Sequence, residues 1–329
     1  MAGALSVAAL QPAAAQTKVK FTLDWKFEGP AAGFVVAMDK GYYKAEGLDV
    51  TIDSGANSTE GINRVASGTY DMGFADINSL IRFRDKNPAL ALKGVMMLYD
   101  VPPFAIVTLK KNGISGPKGL EGKTLGAPAP DGAYAQWKSF VKENGIDAAK
   151  VKIENVGFPV REPMLKDGKV DAITGFSFSS YFNLVNAGVP ADQIQVMLMA
   201  NHGLVLYGNV VMANPDFAAK NPEAVKAFIR ATIRGWADSI KDPASAVKSV
   251  LKRNDVARES VELPRLKMAI EQNILTPYVK QNGMGGVDMT RLAKAIEQIS
   301  VSYEFTNRPK PEDIFTDAFL PPPAQRKVM

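Results

Sequence analysis

Asp24, Trp25 and Glu28 crowd the end of the first strand-like segment. In "FTLDWKFEGP", Phe21 and Leu23 alternate against Thr22, and the two acids and the aromatic follow before Gly29 and Pro30 break the pattern. A carboxylate pair can do general acid–base work when a partner tunes one member, and no such partner is apparent for Asp24 and Glu28. An indole face offers a stacking platform, and carboxylates beside it accept hydrogen bonds from amino or ring N–H groups. Strand ends are also where open α/β sheets bind ligands. Other chemistries lack their parts. The chain has no cysteine, which excludes a disulfide framework, a thiolate metal site and a cysteine nucleophile. Its single histidine, His202 in "MANHGLVLYGN", has no His or Cys companion and reads as a loop residue without a catalytic role. No Gly-rich phosphate loop or metal-ligand cluster is present in the sequence, so no cofactor and no metal are expected.

The elements that must position these residues alternate in type. "VKFTLD" leads into a helix opened by Pro30 and stopped by Gly41. "LDVTID" ends in "SGANST", where Ser58 is read as the cap of "TEGINRVASG"; "YDMGFADINSL" is a third strand running into a helix, and "GVMMLYD" a fourth. "FAIVTLKKNG", residues 104–113, connects to a second set in which "KTLGA", "VKIENV" and "VDAITG" each feed a helix. "GLVLYGNVVMA" connects back, and a largely helical tail follows, its first long helix capped by Asn221 and opened by Pro222. This succession predicts an α/β protein with mostly parallel sheets and flanking helices. Two units joined by two long strands mean that the chain crosses between domains twice, with a ligand cleft between them. The end, "FLPPPAQRKVM", reads as a surface tail.

At 329 residues the chain has room for two cores, and 46% hydrophobic with 22% charged residues is ordinary for a globular protein. Its 39 basic and 34 acidic residues are spread without a block of like charge, which speaks against a nucleic-acid partner. The first residues, "MAGALSVAALQPAAAQ", carry a short apolar run with Ala13 and Ala15 in an A-x-A arrangement. Residues 1–15 therefore read as a signal peptide, with a positively charged n-region missing as if the start had been lost. No later run approaches the ~18 apolar residues of a membrane span. The expectation is an exported, soluble periplasmic protein.

"LDW" after the first strand, "GYYKAEGLDVTI" at 41–52, "RVASGTYDMGFAD" at 64–76, "LEGKTLGAPAPDGA" at 120–133, "LKDGKVDAITG" at 165–175 and "NPEAVKAFIRA" at 221–231 cover most of residues 18–235. In this ordered set the chain resembles the type II periplasmic substrate-binding proteins of ABC importers, in the branch that includes thiamine-pyrimidine, nitrate, sulfonate and taurine binders. The resemblance implies a two-domain Venus-flytrap fold with two interdomain crossover strands. Residues 16–105 plus 210–329 would form domain I, with a helical C-terminal part, and 106–209 domain II. The implied partners are a small-molecule ligand and the transmembrane subunits of the permease, and a monomer is expected.

Carried onto this sequence, the resemblance implies a first-domain ligand shell from the loops after strands one to four: Asp24, Trp25 and Glu28, then Asn57 and Ser58, then Asp76 and Asn78, and lastly Tyr99. The second domain would add Asp131 and Tyr134 from "APAPDGAY", Arg161 and Glu162 at a helix start after "VGFP", and Phe176 and Phe178 from "GFSFSS". Structural roles compete at several positions. Trp25 could seal the first helix against the sheet, Asp24 and Asp76 could cap helices, and one of the two Phe rings should face the core. Arg161 could hold a ligand carboxylate or pair with Glu162 at the surface. Asp131 can itself occupy the free N–H groups of its helix start, which disfavours a bare anion there.

Stacking aromatics with several acids suit a pyrimidine-like, amine-bearing heteroaromatic. The function expected is a solute-binding receptor that closes over its ligand and delivers it to a permease. The alternative is a binder of sulfonate, taurine, nitrate or carboxylate; an enzyme of thiamine-pyrimidine synthesis on the same fold, or a periplasmic sensor, stands behind these. The eukaryotic synthases within the resemblance carry a cysteine-rich motif and an active-site histidine, and this chain lacks the first and misplaces the second, so no enzyme is expected.

Overall fold

The computed structural model describes residues 16–329; the stretch read as a signal peptide, residues 1–15, lies outside the described residues. Strand and helix alternate through β1 (Thr17–Thr22), α1 (Ala32–Asp39), α2 (Tyr42–Ala45), β2 (Leu48–Asp53), α3 (Ser58–Ala66), β3 (Met72–Asp76), α4 (Ile77–Lys86) and β4 (Lys93–Met97). A second series holds β5 (Phe104–Leu109), β6 (Thr124–Ala127), α5 (Gly132–Ala135), α6 (Trp137–Asn144), β7 (Lys152–Asn155), α7 (Phe158–Lys166), β8 (Ala172–Phe176), α8 (Ser177–Asn186) and β9 (Ile194–Leu198). The chain returns through β10 (Asn209–Ala213) to α9 (Pro215–Lys220), α10 (Pro222–Lys241), α11 (Pro243–Leu251), α12 (Glu259–Ala269), α13 (Pro277–Asn282), α14 (Met289–Tyr303) and α15 (Pro311–Ile314).

Each series folds into one lobe around a five-stranded sheet, in the orders β2-β1-β3-β10-β4 and β7-β6-β8-β5-β9. In each sheet four strands run one way, and the strand that follows a crossing, β10 or β5, lies antiparallel between two of them. The two lobes repeat one another in detail. The carboxylate of Asp71 accepts a hydrogen bond from the Lys20 amide at 2.7 Å, and that of Asp171 accepts one from the Thr124 amide at 2.8 Å. Each Asp follows a glycine in the left-handed region, Gly68 at φ 75° and Gly168 at φ 71°. That turn lets "GTYD" and "GKVD" fasten a neighbouring strand just before the central strand of each sheet begins.

The first lobe's core stacks Phe21 between Phe34 and Phe228, at ring separations of 5.0 and 4.9 Å. Helix α1 crosses α10 at glycines: a Cβ built on Gly235 would lie 2.1 Å from the Gly33 carbonyl oxygen. A second apolar cluster runs from Ile77 and Leu80 through Phe104 to Trp137 and Phe140, and α14 completes it with Leu292, Ile296 and Ile299.

Several local expectations are corrected. Asn57, not Ser58, caps α3, accepting from the Glu60 amide at 2.9 Å. Asn221 donates its side chain to the Phe217 carbonyl and leaves the start of α10 without a side-chain cap. The return strand covers only Asn209–Ala213, because Arg291 binds the carbonyls of Val205 and Leu206 and diverts them from any ladder. The terminal "FLPPPAQRKVM" runs over the surface as expected, but it is pinned there: Arg326 is 8% exposed and donates to the carbonyls of Met284 and Pro321. Among the described residues no helix is long and apolar enough to cross a membrane.

Candidate functional site

A cavity of about 770 Å³, open solvent at its mouth included, lies where the strand ends of the two sheets face each other. From the first lobe come Asp24, Trp25 and Glu28 after β1, Asn57 and Ser58 at the start of α3, and Tyr99 after β4; the second lobe supplies Asp131, Arg161, Phe176 and Phe178. Four expected residues are not in its wall. Asp76 spends both carboxylate oxygens on Asn78 and Ser79, capping α4 from behind the wall. The Asn78 side-chain NH₂ group is spent on Asp76 and the Tyr207 carbonyl. Tyr134 packs on the second apolar cluster, and Glu162 binds Arg161.

Asp24 anchors the first-lobe side. Its Oδ2 accepts from the Ser58 hydroxyl at 2.8 Å and the Asn209 amide at 2.6 Å, and the Ser58 oxygen in turn accepts from the Asp76 amide at 3.0 Å. Burial pushes the Asp24 carboxyl up to about 6, the charge of Asp76 adds to this, and the two donors work the other way. Burial likewise raises Asp76 to about 6 against the donors of Asn78 and Ser79. The Tyr99 phenol is held well above its ordinary value, first by burial and then by the charges of Asp24 and Glu28.

Trp25 is half-buried and meets the edge of Phe158 at 5.2 Å between ring centres, so an aromatic corner bridges the two lobes. Its Nε1 donates to the Glu28 Oε1 at 3.4 Å. Arg161 is paired with Glu162, but not at the surface: the two are 4% and 5% exposed, with the guanidinium forked onto one carboxylate oxygen at 2.6 and 3.0 Å. The bare backbone of Gly175 makes room for it, since a Cβ there would lie 2.9 Å from Arg161 Nη1. Asp131 caps α5 with Oδ1, accepting from the Ala133 amide, as its position before a helix suggests. Burial raises its carboxyl while the charge of Arg161 works against the rise. Phe176 and Phe178 both touch the cavity, and of the two Phe178 is the one buried in the first lobe's apolar cluster, at 3% exposure, while Phe176 is only partly buried.

Two buried acceptors on the wall, Asp131 Oδ2 and Asn209 Oδ1, have no hydrogen-bond partner among the described residues. Buried polar atoms are seldom left so, and each asks for a donor. Sequence reasoning missed Asn209 and Phe158. Asn209 opens a strand that runs against its neighbours, so its start, not its end, reaches the cleft; Phe158 stands in "VGFP" at the end of a strand-to-helix turn, the same signal that exposed Trp25.

A family model described as NMT1/THI5 like matches residues 30–246. Riboflavin-binding protein RibY of Chloroflexus aurantiacus is 28% identical over 217 residues, 65% of this chain; the match spans 60% of that protein's length. A formylaminopyrimidine-binding protein of Halalkalibacterium halodurans is 26% identical over 272 residues, 77% of each chain. The 4-amino-5-hydroxymethyl-2-methylpyrimidine phosphate synthase of Schizosaccharomyces pombe is 25% identical over 242 residues, 71% of this chain and 69% of that one. The crystal structure of the periplasmic aliphatic sulphonate binding protein SsuA of Escherichia coli superposes with a TM-score of 0.69 at 13% identity, covering 91% of this chain and 96% of that one. The two mixed sheets with their flanking helices are thus the fold of the periplasmic binding proteins, and the chain, matched over about two thirds of its length, belongs to the NMT1/THI5-like family.

Proposed function

We propose that this chain is an exported solute receptor that closes two domains, 16–105 with 210–329 and 106–209, over a flat, amine-bearing nitrogen heteroaromatic and delivers it to the membrane permease of an ABC importer. One observation carries the reading. The unpartnered polar atoms of the wall, Asp131 Oδ2 and Asn209 Oδ1, are both acceptors, and they stand with the aromatic corner of Trp25 and Phe158. A ring bearing amino or N–H groups satisfies acceptors and stacks on the indole at once. A sulfonate or nitrate needs donors instead, and the one buried cation of the wall, Arg161, is engaged by Glu162. Relatives named for binding riboflavin and formylaminopyrimidine, both flat nitrogen heterocycles, support the same ligand class.

The relatives named as pyrimidine phosphate synthases keep an enzyme in view. Against it stand the absence of cysteine from the chain and the position of His202, whose short helical turn lies outside the cavity wall. Calorimetry with 4-amino-5-hydroxymethyl-2-methylpyrimidine, formylaminopyrimidine, riboflavin, taurine and nitrate tests the reading. Saturable heat with the heterocycles, weakened about tenfold or more by Asp131→Asn, is expected from the loss of one charge-assisted hydrogen bond. Heat with taurine or nitrate alone overturns the ligand class, and conversion of the bound pyrimidine into a product replaces the receptor with an enzyme.

A further inference from the structure

Three polar residues on one stretch of chain, Arg258, Arg265 and Gln272, recur every seventh position and so share one helical face. They run along α12 and its continuation, from the residue before the helix into the π-helical turn Ile270–Ile274. Their partners lie on α8 of the other lobe, in the reverse order of two antiparallel helices. Arg258 donates to Asn186 Oδ1, Arg265 Nη2 donates to Asn183 Oδ1 at 2.9 Å, and the Ser177 hydroxyl donates to Gln272 Oε1 at 3.3 Å. The same segment is anchored in the first lobe's core through Leu266, Ala269 and Ile270.

The middle rung reaches the cavity. Arg265 Nη1 pairs with Glu28 Oε2 at 2.7 Å and with Glu262 Oε1 at 2.9 Å, and Glu262 Oε2 accepts from the Gly29 amide at 2.6 Å. Ser179 of α8 donates to the same Glu28 oxygen at 3.5 Å. Arg265 is 3% exposed and stands behind the wall, not in it. One guanidinium thus serves two carboxylates, and the group keeps one net negative charge that a ligand amino or ring N–H group at Glu28 offsets.

We infer that Arg265 is the positioning residue for the ligand-facing carboxylate of Glu28 and, with Arg258 and Gln272, forms a polar latch that holds α8 shut over the ligand. The ligand contact at Glu28 and the closure contact at Asn183 then share one side chain. Retention is therefore set on a helix beyond residues 30–246, outside the matched family segment. This inference rests on the binding reading of the cavity only for the ligand's part; the latch itself is a property of the free protein.

Asn183→Ala removes one rung and leaves both carboxylates of Arg265 paired. Dissociation of 4-amino-5-hydroxymethyl-2-methylpyrimidine, followed by stopped-flow Trp fluorescence, should then be about tenfold faster, the effect of one charge-assisted hydrogen bond. The melting temperature of the free protein should scarcely move, which a merely structural role would not allow. Arg265→Lys keeps the charge between Glu28 and Glu262 but loses the Nη2 bond to Asn183, and should match Asn183→Ala in rate. Small-angle scattering of the ligand-free protein should show a larger radius of gyration in both variants. Wild-type dissociation rates in both variants overturn the latch. If the pyrimidine does not bind at all, the ligand reading fails, and scattering decides the latch alone: a wider free Asn183→Ala supports it, and curves identical to wild type overturn it.

Discussion

Replacing Asp24 by Asn tests whether the cavity keeps a carboxylate there at the expense of the fold. The carboxyl is 8% exposed and titrates at about 6 instead of 3.8, chiefly through burial. At about 1.4 kcal/mol per pH unit, its ionised form destabilises the free protein by ~3 kcal/mol. The sign follows from linkage. Between pH 4 and 6 the folded carboxyl holds a proton that the unfolded one has released, so stability is present at low pH and is lost as pH rises through about 6. An Asn side chain can keep both existing hydrogen bonds by placing its oxygen toward Ser58 and Asn209, and it never ionises. Asp24→Asn should therefore melt higher than wild type at pH 7.5, by up to ~6 °C at roughly 2 °C per kcal/mol for a chain of this size. The gain should shrink toward zero near pH 4. Because Asp76 contributes to the raised value, the two carboxyls titrate as a pair, and the wild-type transition should be broadened accordingly. In the same variant an N–H₂ group replaces an acceptor at the cavity, and affinity for an amine-bearing ring should fall about tenfold or more. Differential scanning calorimetry across pH checks the first effect and titration calorimetry the second. A stabilisation equal at pH 4 and pH 7.5, or a destabilisation at pH 7.5, refutes the buried-charge account.

Trp25→Ala should weaken binding of a heteroaromatic by roughly 1–3 kcal/mol, the usual worth of ring stacking on an aromatic side chain; unchanged affinity by calorimetry removes Trp25 from the ligand contact. Gly235→Ala should destabilise by about 3 kcal/mol in urea titrations, because its Cβ would meet the Gly33 carbonyl at 2.1 Å and only a shift of α1 against α10 relieves that. Arg291→Gln should lower the urea midpoint by an amount equivalent to about 2 kcal/mol or more. Its guanidinium binds the carboxylate and carbonyl of Asp100 and the carbonyls of Val205 and Leu206, thereby joining the outgoing and returning segments; a wild-type midpoint would show that these bonds are redundant.

The rim residues Asp24, Trp25 and Asp131 were legible because a strand followed by a capped or Pro-opened helix marks a strand end, and strand ends gather at one edge of a parallel sheet. That signal says where a residue lies and not which way it points. Ser58 and Asp76 occupy equivalent turns, yet Ser58 reaches the cavity and Asp76 turns back to cap its own helix, a choice made by the donors of Asn78 and Ser79. Asn209 was hidden by strand direction, which depends on the whole sheet order. Arg265 was hidden by distance along the chain: its pairing with Glu28 is written in no local pattern, and its companions at 258 and 272 acquire meaning only when α8 is laid beside them. The duplicated fastening of Asp71 and Asp171 was present in the sequence as "GTYD" and "GKVD", but a single sequence does not show that the two turns do the same work.

The two seams between the lobes differ in kind, and the difference sets how the molecule can open. Along α14, Leu292, Ile296 and Ile299 share one apolar cluster with Trp137 and Phe140 of α6 and Ile77 of α4, joining both lobes. Parting that seam exposes large side chains at about 1.5–3 kcal/mol each. Along α12 the lobes meet α8 through polar rungs, whose groups water can satisfy once they separate, and one large apolar contact accompanies them, Phe178 of α8 packed at 6.0 Å on Tyr99. If the lobes part as the proposed receptor requires, the α12–α8 seam is the one expected to separate first, with α14 and Arg291, which ties the crossing segments together, staying in place. Glu28 lies on the α12 seam through its pairing with Arg265, so a ligand held there, as proposed, would resist the first step of opening rather than a later one. Losses at the α14 seam then appear as lost stability of the whole fold, whereas losses at the α12 seam appear as faster release from an otherwise intact protein.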